Sequence, residues 1–376
     1  MRYVDEFRDG ALARSLAGHI AREVRPERTY RFMEFCGGHT HAIARYGVED
    51  LLPAQVRMIH GPGCPVCVLP VGRIDNAIAL ALERRVTLCT YADTVRVPAS
   101  GKTSLMRAKA AGADVRMVYS AADALRIARE NPQREVVFFA IGFETTTPAT
   151  ALVLLEAERA GLGNFSVFCN HVLTPAAIAA ILEPRAGAAA PALDGFVGPA
   201  HVSCVIGSAP YEPFAAQYAK PVVIAGFEPL DVMQAVRMLV RQVNEGRHEV
   251  ENEYTRAVTR GGNARAIAAM AEVFEPRPTF EWRGLGEVPA SALRIRARFA
   301  RFDAEARYGV VYRPVADPKG CECGAILRGA KAPPDCRLFG TVCTPENPVG
   351  SCMVSSEGSC AAWYGYGRFR GGARAA

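Results

Sequence analysis

Residues 135–148 read EVVFFAIGFETTTP, and this stretch contains the pattern that repeats through most of the chain. The apolar run at its start is typical of a β-strand, which we predict at Glu135–Ile141. Thr147 followed by Pro148 is a helix-start signal, because proline is favoured in the first turn, and a helix is predicted over Pro148–Ala160. A strand that leads into a helix in this way is the unit of parallel α/β sheets.

The same alternation extends from residue 30 to about residue 245. Further helices are predicted at Ile74–Arg84 and Ala121–Arg129. The other predicted strands are Arg31–Phe35, Val56–His60, Val86–Tyr91, Val115–Tyr119, Phe165–Cys169, Gly195–Val197 and Val222–Ala225. Strands that alternate with helices predict an α/β fold, and eight strands divide most simply into two parallel-sheet modules.

We therefore predict two α/β domains, at residues 30–120 and 121–245, with the break near residues 121–134. The sequence changes character after about residue 250, and beyond residue 315 it is rich in Gly, Pro and Cys with little periodicity. Such a segment buries too little apolar surface to order itself, so a metal centre is expected to stabilise it. We predict a third, loop- and helix-rich domain that combines residues 1–29 with 246–376.

Composition narrows the functional classes. The 376 residues carry a net charge of +6 that is spread along the chain, so a nucleic-acid partner has little support. No uncharged apolar run reaches about 18 residues, and the charged N-terminus MRYVDEFRDG lacks the apolar stretch of a signal peptide. We expect a cytoplasmic protein without membrane association, in a compartment where thiols stay reduced.

Cysteine usage is the strongest chemical signal. Six of the twelve cysteines lie between residues 321 and 360, at positions 321, 323, 336, 343, 352 and 360. In a reduced compartment such a cluster favours metal binding over disulfides. Zinc sites usually contain paired C-x-x-C knuckles, which this segment lacks, so an iron–sulfur cluster is predicted. The spacing alone leaves open which four of the six cysteines are ligands.

The block CGGHTH at residues 36–41 follows the first predicted strand directly. Cys36 is therefore expected at the carboxyl end of a strand and beside a helix N-terminus, which is where α/β sheets bind ligands. The helix dipole and the imidazoles of His39 and His41 would favour the thiolate, which attacks electrophiles and binds soft metals.

A second block, GPGCPVC at residues 61–67, follows the strand ending at His60. The spacing of Cys64 and Cys67 allows the two sulfurs to form a disulfide or to bind one metal ion together. Since no second C-x-x-C lies nearby, the block is interpreted as a redox dithiol or as half of a metal site.

The third block is GFETTTP at residues 142–148. Its carboxylate, Glu144, and three threonine hydroxyls lie where a strand ends and a helix begins. They could bind an anion, position a proton donor or contact a partner, and simple capping of the helix is an equally good interpretation. Asn170 with His171, and His201, also follow predicted strands and could line the same crevice. For either histidine alone, a structural role with its hydrogen bonds satisfied in the core or at the rim is the more common case.

Together these blocks resemble the HypD family of [NiFe]-hydrogenase maturation proteins. The resemblance also includes WRGLG at residues 282–286 and CTPENPVGSCMVSSEGSCAA at residues 343–362, and it spans nearly the whole chain. It implies two α/β domains and a third domain with a [4Fe-4S] cluster, similar to the cluster region of ferredoxin:thioredoxin reductase. It also implies a scaffold, with no simple turnover reaction assigned, on which iron acquires two cyanides and one carbon monoxide. A HypC-type chaperone would act with it, and a HypE-type protein would donate the cyanide.

The resemblance further implies roles for single residues. The family's cluster pattern, C-x14-C-x6-C-x16-C, corresponds to the four cysteines Cys321, Cys336, Cys343 and Cys360.

In the other motifs, Cys36 would hold the transferred Fe(II), with His39 and His41 orienting the thiol or moving a proton. Cys64 and Cys67 would be a redox dithiol that exchanges electrons with the cluster. Glu144 would lie at the same crevice and handle protons.

Three functions compete at this point. The first is the metallocofactor scaffold with redox capacity. The second is an iron–sulfur-dependent thiol–disulfide oxidoreductase that acts on outside substrates. The third is a zinc-stabilised binding protein without redox chemistry.

Overall fold

The computed structural model describes residues 5–183 and 191–368. In these two ranges there are thirteen strands: β1 Tyr30–Glu34, β2 Val56–His60, β3 Thr87–Thr90, β4 Val115–Met117, β5 Val136–Gly142, β6 Phe165–His171, β7 Gly195–Pro199, β8 Val222–Ala225, β9 Val250–Asn252, β10 Phe274–Pro276, β11 Thr279–Trp282, β12 Gly286–Pro289 and β13 Leu293–Ile295. All eight strands predicted from the sequence are present, with ends that differ by at most two residues.

The α-helices in the same ranges are α1 Gly10–Glu23, α2 Gly37–Tyr46, α3 Val48–Leu51, α4 Pro65–Val68, α5 Val71–Leu82, α6 Ala92–Val95, α7 Leu105–Ala110, α8 Ala121–Glu130, α9 Thr147–Arg159, α10 Thr174–Leu182, α11 Ala200–Ile206, α12 Glu212–Tyr218, α13 Pro229–Glu245, α14 Ala264–Val273, α15 Ala304–Tyr308, α16 Cys323–Leu327 and α17 Ser359–Ala362. Short 3-10 turns, including Ser351–Met353, and a π-helical turn at Trp363–Gly367 complete the assignment. The three helices predicted from the sequence correspond to α5, α8 and α9, so alternation gave the α/β class correctly.

Two parallel sheets form the body of the molecule. The first sheet has the order β2-β1-β7-β8-β9, and the second has the order β4-β3-β5-β6. Every neighbouring pair in both sheets is parallel. In β5 and β6 each of the seven residues is buried, as expected for strands covered on both faces.

The division of the strands between the sheets differs from the prediction. The chain leaves the first sheet after β2, builds the whole second sheet, and returns to the first sheet at β7. The break predicted near residues 121–134 therefore falls inside the second sheet, and the proposed boundary between 30–120 and 121–245 is wrong. Consecutive strands are neighbours only about two-thirds of the time, so chain order was a weak guide to sheet membership.

The N-terminal helix also lies elsewhere than predicted. Helix α1 packs with α13 on the outer face of the first sheet, where Ile20 and Leu239 are fully buried in one core. Glu23 at its end accepts hydrogen bonds from Arg237 and Arg241 on α13. The prediction that residues 1–29 belong with the cysteine-rich region is therefore wrong for helix α1. The apolar face of this helix packs against the first sheet.

Residues 246–368 do not form one separate body either. Strand β9 completes the first sheet, while β10 and β13 pair with each other and pack on the outer face of the second. The cysteine-rich segment from α16 onward packs into the core shared by both sheets, with Cys323 and Ile326 buried there. It thus covers the junction between the two sheets.

In the described parts of the chain, no helix combines the length and apolar character needed to cross a membrane.

Candidate functional site

The carboxyl ends of both sheets open onto one crevice of about 270 Å³. In this Cys36 crevice, the residues after β1, β2 and β7 of the first sheet meet those after β3 and β5 of the second. Its lining is Phe35, Cys36, Gly63, Pro65, Val66, Tyr91, Ala92, Asp93, Ile141, Gly142, Phe143, Thr145, Thr146, His201, Val202, Ser355 and Glu357. Crevices outside the carboxyl ends of parallel strands are the usual ligand sites of α/β folds.

Cys36 enters the crevice as predicted, at the N-cap position of α2. Burial and the negative charges of Glu357 and Glu34 raise the pKa of its thiol, whereas backbone amides of the first helical turn lower it. The start of α2 therefore lowers the pKa of the thiol, as expected, but burial raises it by more. The expectation that Cys36 favours the thiolate is wrong for this state of the protein, in which the thiol is protonated at neutral pH.

A buried carboxylate that the sequence analysis missed holds Cys36 in place. Glu34, fully buried at the end of β1, accepts a hydrogen bond from the Cys36 amide at 2.8 Å. It also accepts from the Thr40 hydroxyl and from Nδ1 of His60, the latter at 2.9 Å. Burial lowers the pKa of His60, but the hydrogen bond and charge of Glu34 more than offset this, so the pKa is raised.

The two histidines of the CGGHTH block lie on different sides of α2. Nε2 of the buried His39 donates to the carbonyl oxygens of Ala225 and Gly226, at 3.0 and 2.9 Å. His41 contacts the C-terminal segment instead, with its ring 5.3 Å from that of Tyr366. Neither is among the residues that line the crevice. Residues two apart on a helix do not face each other, which explains the separation.

The GPGCPVC block forms a buried disulfide. Cys64 and Cys67 are bonded, with their Cα atoms 5.2 Å apart, and α4 begins between them. Gly63 connects this disulfide to Cys36, since its carbonyl oxygen accepts a hydrogen bond from the amide of Gly37 at 3.2 Å. Any side chain at Gly63 would overlap the backbone of Phe35 and Cys36.

The disulfide also contacts the cysteine-rich segment. The Ser351 hydroxyl donates to the carbonyl oxygen of Cys67 at 2.9 Å. The preceding residue, Gly350, lies directly against the sulfur atoms of Cys321 and Cys323. Gly350 and Ser351 therefore lie between the disulfide and the thiols of Cys321 and Cys323.

Five of the C-terminal cysteines line one small apolar cavity, the cysteine pocket. Its lining is Cys321, Cys323, Ile326, Cys336, Leu338, Phe339, Cys343, Met353 and Cys360. Cys352 is fully buried outside this lining, and its thiol contacts those of Cys323 and Cys360. All four cysteines predicted by resemblance are present, but Cys323 lines the same cavity, so position alone does not separate ligands from other thiols.

The donor atoms of the cysteine pocket are the kind that iron–sulfur clusters use. Within residues 5–183 and 191–368, no group of three or more His, Cys, Asp or Glu side chains converges to hold one metal ion. A zinc ion needs its sulfur ligands about 2.3 Å from one centre. An iron–sulfur cluster instead takes four thiolates distributed around a larger inorganic core, and the five cysteines in the lining of this cavity include enough thiols for such a donor set.

Glu144 lies beside the crevice rather than in it. The adjacent Phe143 and Thr145 line the crevice, while the buried Glu144 carboxylate accepts hydrogen bonds from the amide and hydroxyl of Thr174, at 2.8 and 2.9 Å. Burial raises the pKa of Glu144 to about 7.

Of the two further histidines, His201 lines the crevice and packs against Phe227, with the ring centroids 4.0 Å apart and the rings tilted by 38°. His171 is buried against the Thr150 hydroxyl, and its Nε2 lies 2.9 Å from that oxygen.

Comparison with known proteins identifies the family. The family model described as "HypD: Hydrogenase formation hypA family" matches residues 11–367. The chain belongs to the HypD family. The match includes the Cys36 crevice, the disulfide and the whole cysteine pocket.

Individual HypD proteins are similar over almost their full length. The hydrogenase maturation factor HypD of Cupriavidus necator is 70% identical over 373 residues, 98% of each chain. The corresponding factor of Azotobacter vinelandii is 67% identical over 371 residues, again 98% of each chain. That of Escherichia coli K12 is 46% identical over 372 residues, 97% of this chain and 98% of the relative. Membership in the HypD family is consistent with a role in hydrogenase maturation.

Proposed function

We propose that this HypD-family chain is the scaffold and redox protein on which the Fe(CN)2CO group of [NiFe]-hydrogenase is assembled. It would act in complex with a HypC-type chaperone and receive cyanide that originates from a HypE-type donor. Iron is the cargo in this proposal, and the Cys36 crevice is the place where it is held.

The observation that carries the proposal is the continuity of three sulfur sites. Gly63 joins the Cys36 backbone to the Cys64–Cys67 disulfide. Ser351 and Gly350 then join that disulfide to the cysteine pocket. A binding thiol, a two-electron disulfide and a cluster-type donor set in direct succession support a role that combines metal binding with redox chemistry.

Cys36 supplies the chemistry that the iron needs. Iron that carries cyanide and carbon monoxide is electron-rich, and soft thiolates suit such a metal. Because the thiol is protonated in the buried state, iron binding must displace its proton. The neighbouring Glu357 carboxylate, whose own pKa is raised by burial and by the charges of Asp93 and Glu34, is placed to accept it. A cysteine of the HypC-type partner would be a second ligand.

Cys321, Cys336, Cys343 and Cys360 would hold the [4Fe-4S] cluster, which supplies single electrons when bound. The chain's own contribution is the position of the disulfide. Reduction of the Cys64–Cys67 bond takes two electrons and two protons and yields two thiols, so it requires an external electron donor. Ser351 fixes the Cys67 backbone on the side of the disulfide that faces the cysteine-rich segment.

The alternative of a thiol–disulfide oxidoreductase for outside proteins has less support. Cys64 is 4% exposed and Cys67 is fully buried, so a protein disulfide could not reach either sulfur without a rearrangement. Exchange of this kind requires direct attack of one sulfur on another. Rapid turnover of an external disulfide by the isolated chain would favour this alternative.

The proposal is tested by Cys36→Ala in a host that lacks its own HypD protein. Hydrogenase maturation should be lost, while the visible absorption of the cluster in the purified protein is retained. Cys204→Ala is the matched control, because Cys204 is half-buried and is not part of the crevice lining. Maturation at the wild-type level with Cys36→Ala would refute the proposal.

A further inference from the structure

Arg283, in the WRGLG loop between β11 and β12, is a buried cation without full compensation. It is 4% exposed, and buried arginines are normally paired and hydrogen-bonded. Its Nε lies 3.2 Å from Oδ1 of Asp317, a partly exposed residue. This contact is an ion pair without hydrogen-bond geometry, and neither Nε nor Nη2 has a hydrogen-bond partner among the described residues. The guanidinium therefore retains charge and donor capacity inside the protein.

The loop that carries Arg283 lies between the disulfide and the cysteine pocket. The Arg283 amide donates to the carbonyl oxygen of Val68, the residue after Cys67, at 2.8 Å. On its other side Gly284 packs against Gly324, in the helix that begins at Cys323. Arg283 is thus fixed by backbone contacts at the junction of the two sulfur sites.

The ion pair of Arg283 and Asp317 lies beside the first cysteine of the pocket. Asp317 pairs with the Arg283 guanidinium, and the backbone links this acid to Cys321, because the Cys321 amide donates to the carbonyl oxygen of Pro318, the residue after Asp317, at 3.0 Å. The ion pair therefore places opposite charges beside one thiol.

We propose that Arg283 is the charge-compensating residue of the cysteine pocket and raises the reduction potential of the cluster held there. This inference rests on the proposed cofactor. Four thiolates around the cluster give it a net negative charge, and reduction by one electron, without a proton, adds another. A nearby buried cation stabilises the reduced form more than the oxidised form, and net charge is a recognised determinant of cluster potentials.

The test is an anaerobic redox titration of the full-length protein with dithionite, followed by visible absorption and electron paramagnetic resonance. Arg283→Gln should shift the midpoint to a more negative potential, and Arg283→Lys, which keeps the charge, should stay closer to the wild type. Asp317→Asn should shift it in the opposite direction. A purely structural role would not give opposite signs. Arg298→Gln is the control, since Arg298 is 62% exposed, and it should leave the midpoint unchanged.

Wild-type midpoints for both Arg283→Gln and Asp317→Asn, or shifts of the same sign, would overturn the inference. If Arg283→Gln fails to hold its cluster, Asp317→Asn decides, and a wild-type midpoint or a shift to a more negative potential in that variant would refute the inference. A wild-type protein purified without iron and sulfide would show instead that the proposed cofactor is wrong, and the inference would fall with it.

Discussion

At the scale of residues, carboxylates around Cys36 control the chemistry available to its thiol. Glu34 fixes the Cys36 amide and binds His60, while Glu357 reaches over the first turn of α2 from the C-terminal segment. Both negative charges raise the pKa of the thiol, in addition to burial. The thiol is therefore held protonated until a cation enters the crevice or a carboxylate is neutralised.

Replacing Glu357 by Gln should make the thiol of Cys36 more reactive. Loss of the negative charge lowers the pKa, and a change of about one unit would raise the thiolate fraction roughly tenfold. Alkylation of Cys36 by iodoacetamide at pH 8, read by mass spectrometry of its peptide, measures the effect. Glu130→Gln, at an exposed site on α8, serves as control. An unchanged or slower alkylation rate in Glu357→Gln would contradict this account of the pKa.

Glu144 should make stability depend on pH. Its pKa is about 7 in the folded protein and about 4.5 when free, so its contribution is complete below pH 4.5 and is lost as the pH rises through 7. Glu144→Gln does not titrate, and it should gain on the order of 3 kcal/mol relative to wild type over this range. Thermal midpoints measured from pH 5 to 9 test this, with Glu130→Gln as control. Parallel pH profiles for Glu144→Gln and wild type would disprove the assignment.

At the scale of elements, the segment after β2 packs so closely against the end of β1 that Gly61 and Gly63 have no space for a side chain. A Cβ at Gly63 would overlap the backbone of Phe35 and Cys36, which cannot move aside without disturbing the start of α2. The position of Cys36 is therefore coupled to the position of the disulfide.

Gly63→Ala should lower the thermal midpoint and displace Cys36. An added methyl group in a closely packed site typically lowers the free energy of unfolding by about 1–3 kcal/mol. We expect a loss at the upper end of this range, because the methyl group would overlap backbone atoms. Differential scanning calorimetry measures the loss, and a crystal structure of the variant would locate the thiol. Gly163→Ala is the matched control, because a Cβ there meets nothing within 4 Å. Equal midpoints for the two variants would show that the loop tolerates the change.

The elements were predictable from the sequence, but their pairing was not. Apolar runs located eight of the nine strands in the two parallel sheets, because this signal is local, whereas the short edge strand β9 was not predicted. Sheet membership depends on contacts between residues that are distant in the sequence. The chain returns to the first sheet at β7, and no local sequence pattern indicates this return. At the site, the motifs identified the correct segments but not the directions of His39, His41 and Glu144. Glu34 was missed because one carboxylate in a strand resembles a solvent-facing position until its burial is known.

At the scale of the whole molecule, the cysteine-rich segment covers the junction of the two sheets. It contributes Glu357 to the Cys36 crevice, Ser351 to the disulfide and five thiols to the cysteine pocket. Order in this segment is therefore required for all three sulfur sites. A cluster in the pocket would stabilise the segment, since metal binding and folding are coupled where the apolar core is small.

Cys343→Ala should lose most of its iron and sulfide and expose the C-terminal segment. The reason is that Cys343 lines the pocket and is one of the four proposed ligands. Iron and sulfide analysis together with limited proteolysis measures both effects, with Cys204→Ala as control. Full iron content in Cys343→Ala would show that Cys323 or Cys352 is a ligand in its place. Zinc in the wild-type protein, without sulfide, would support the zinc-stabilised binding protein instead.

The measurement that tests the central claim most directly is infrared spectroscopy of the anaerobically purified complex with a HypC-type chaperone. The account predicts bands in the cyanide and carbon monoxide stretching regions that disappear in Cys36→Ala and persist in Cys204→Ala. Undiminished bands in Cys36→Ala would contradict the assignment of this crevice as the site where the iron is held.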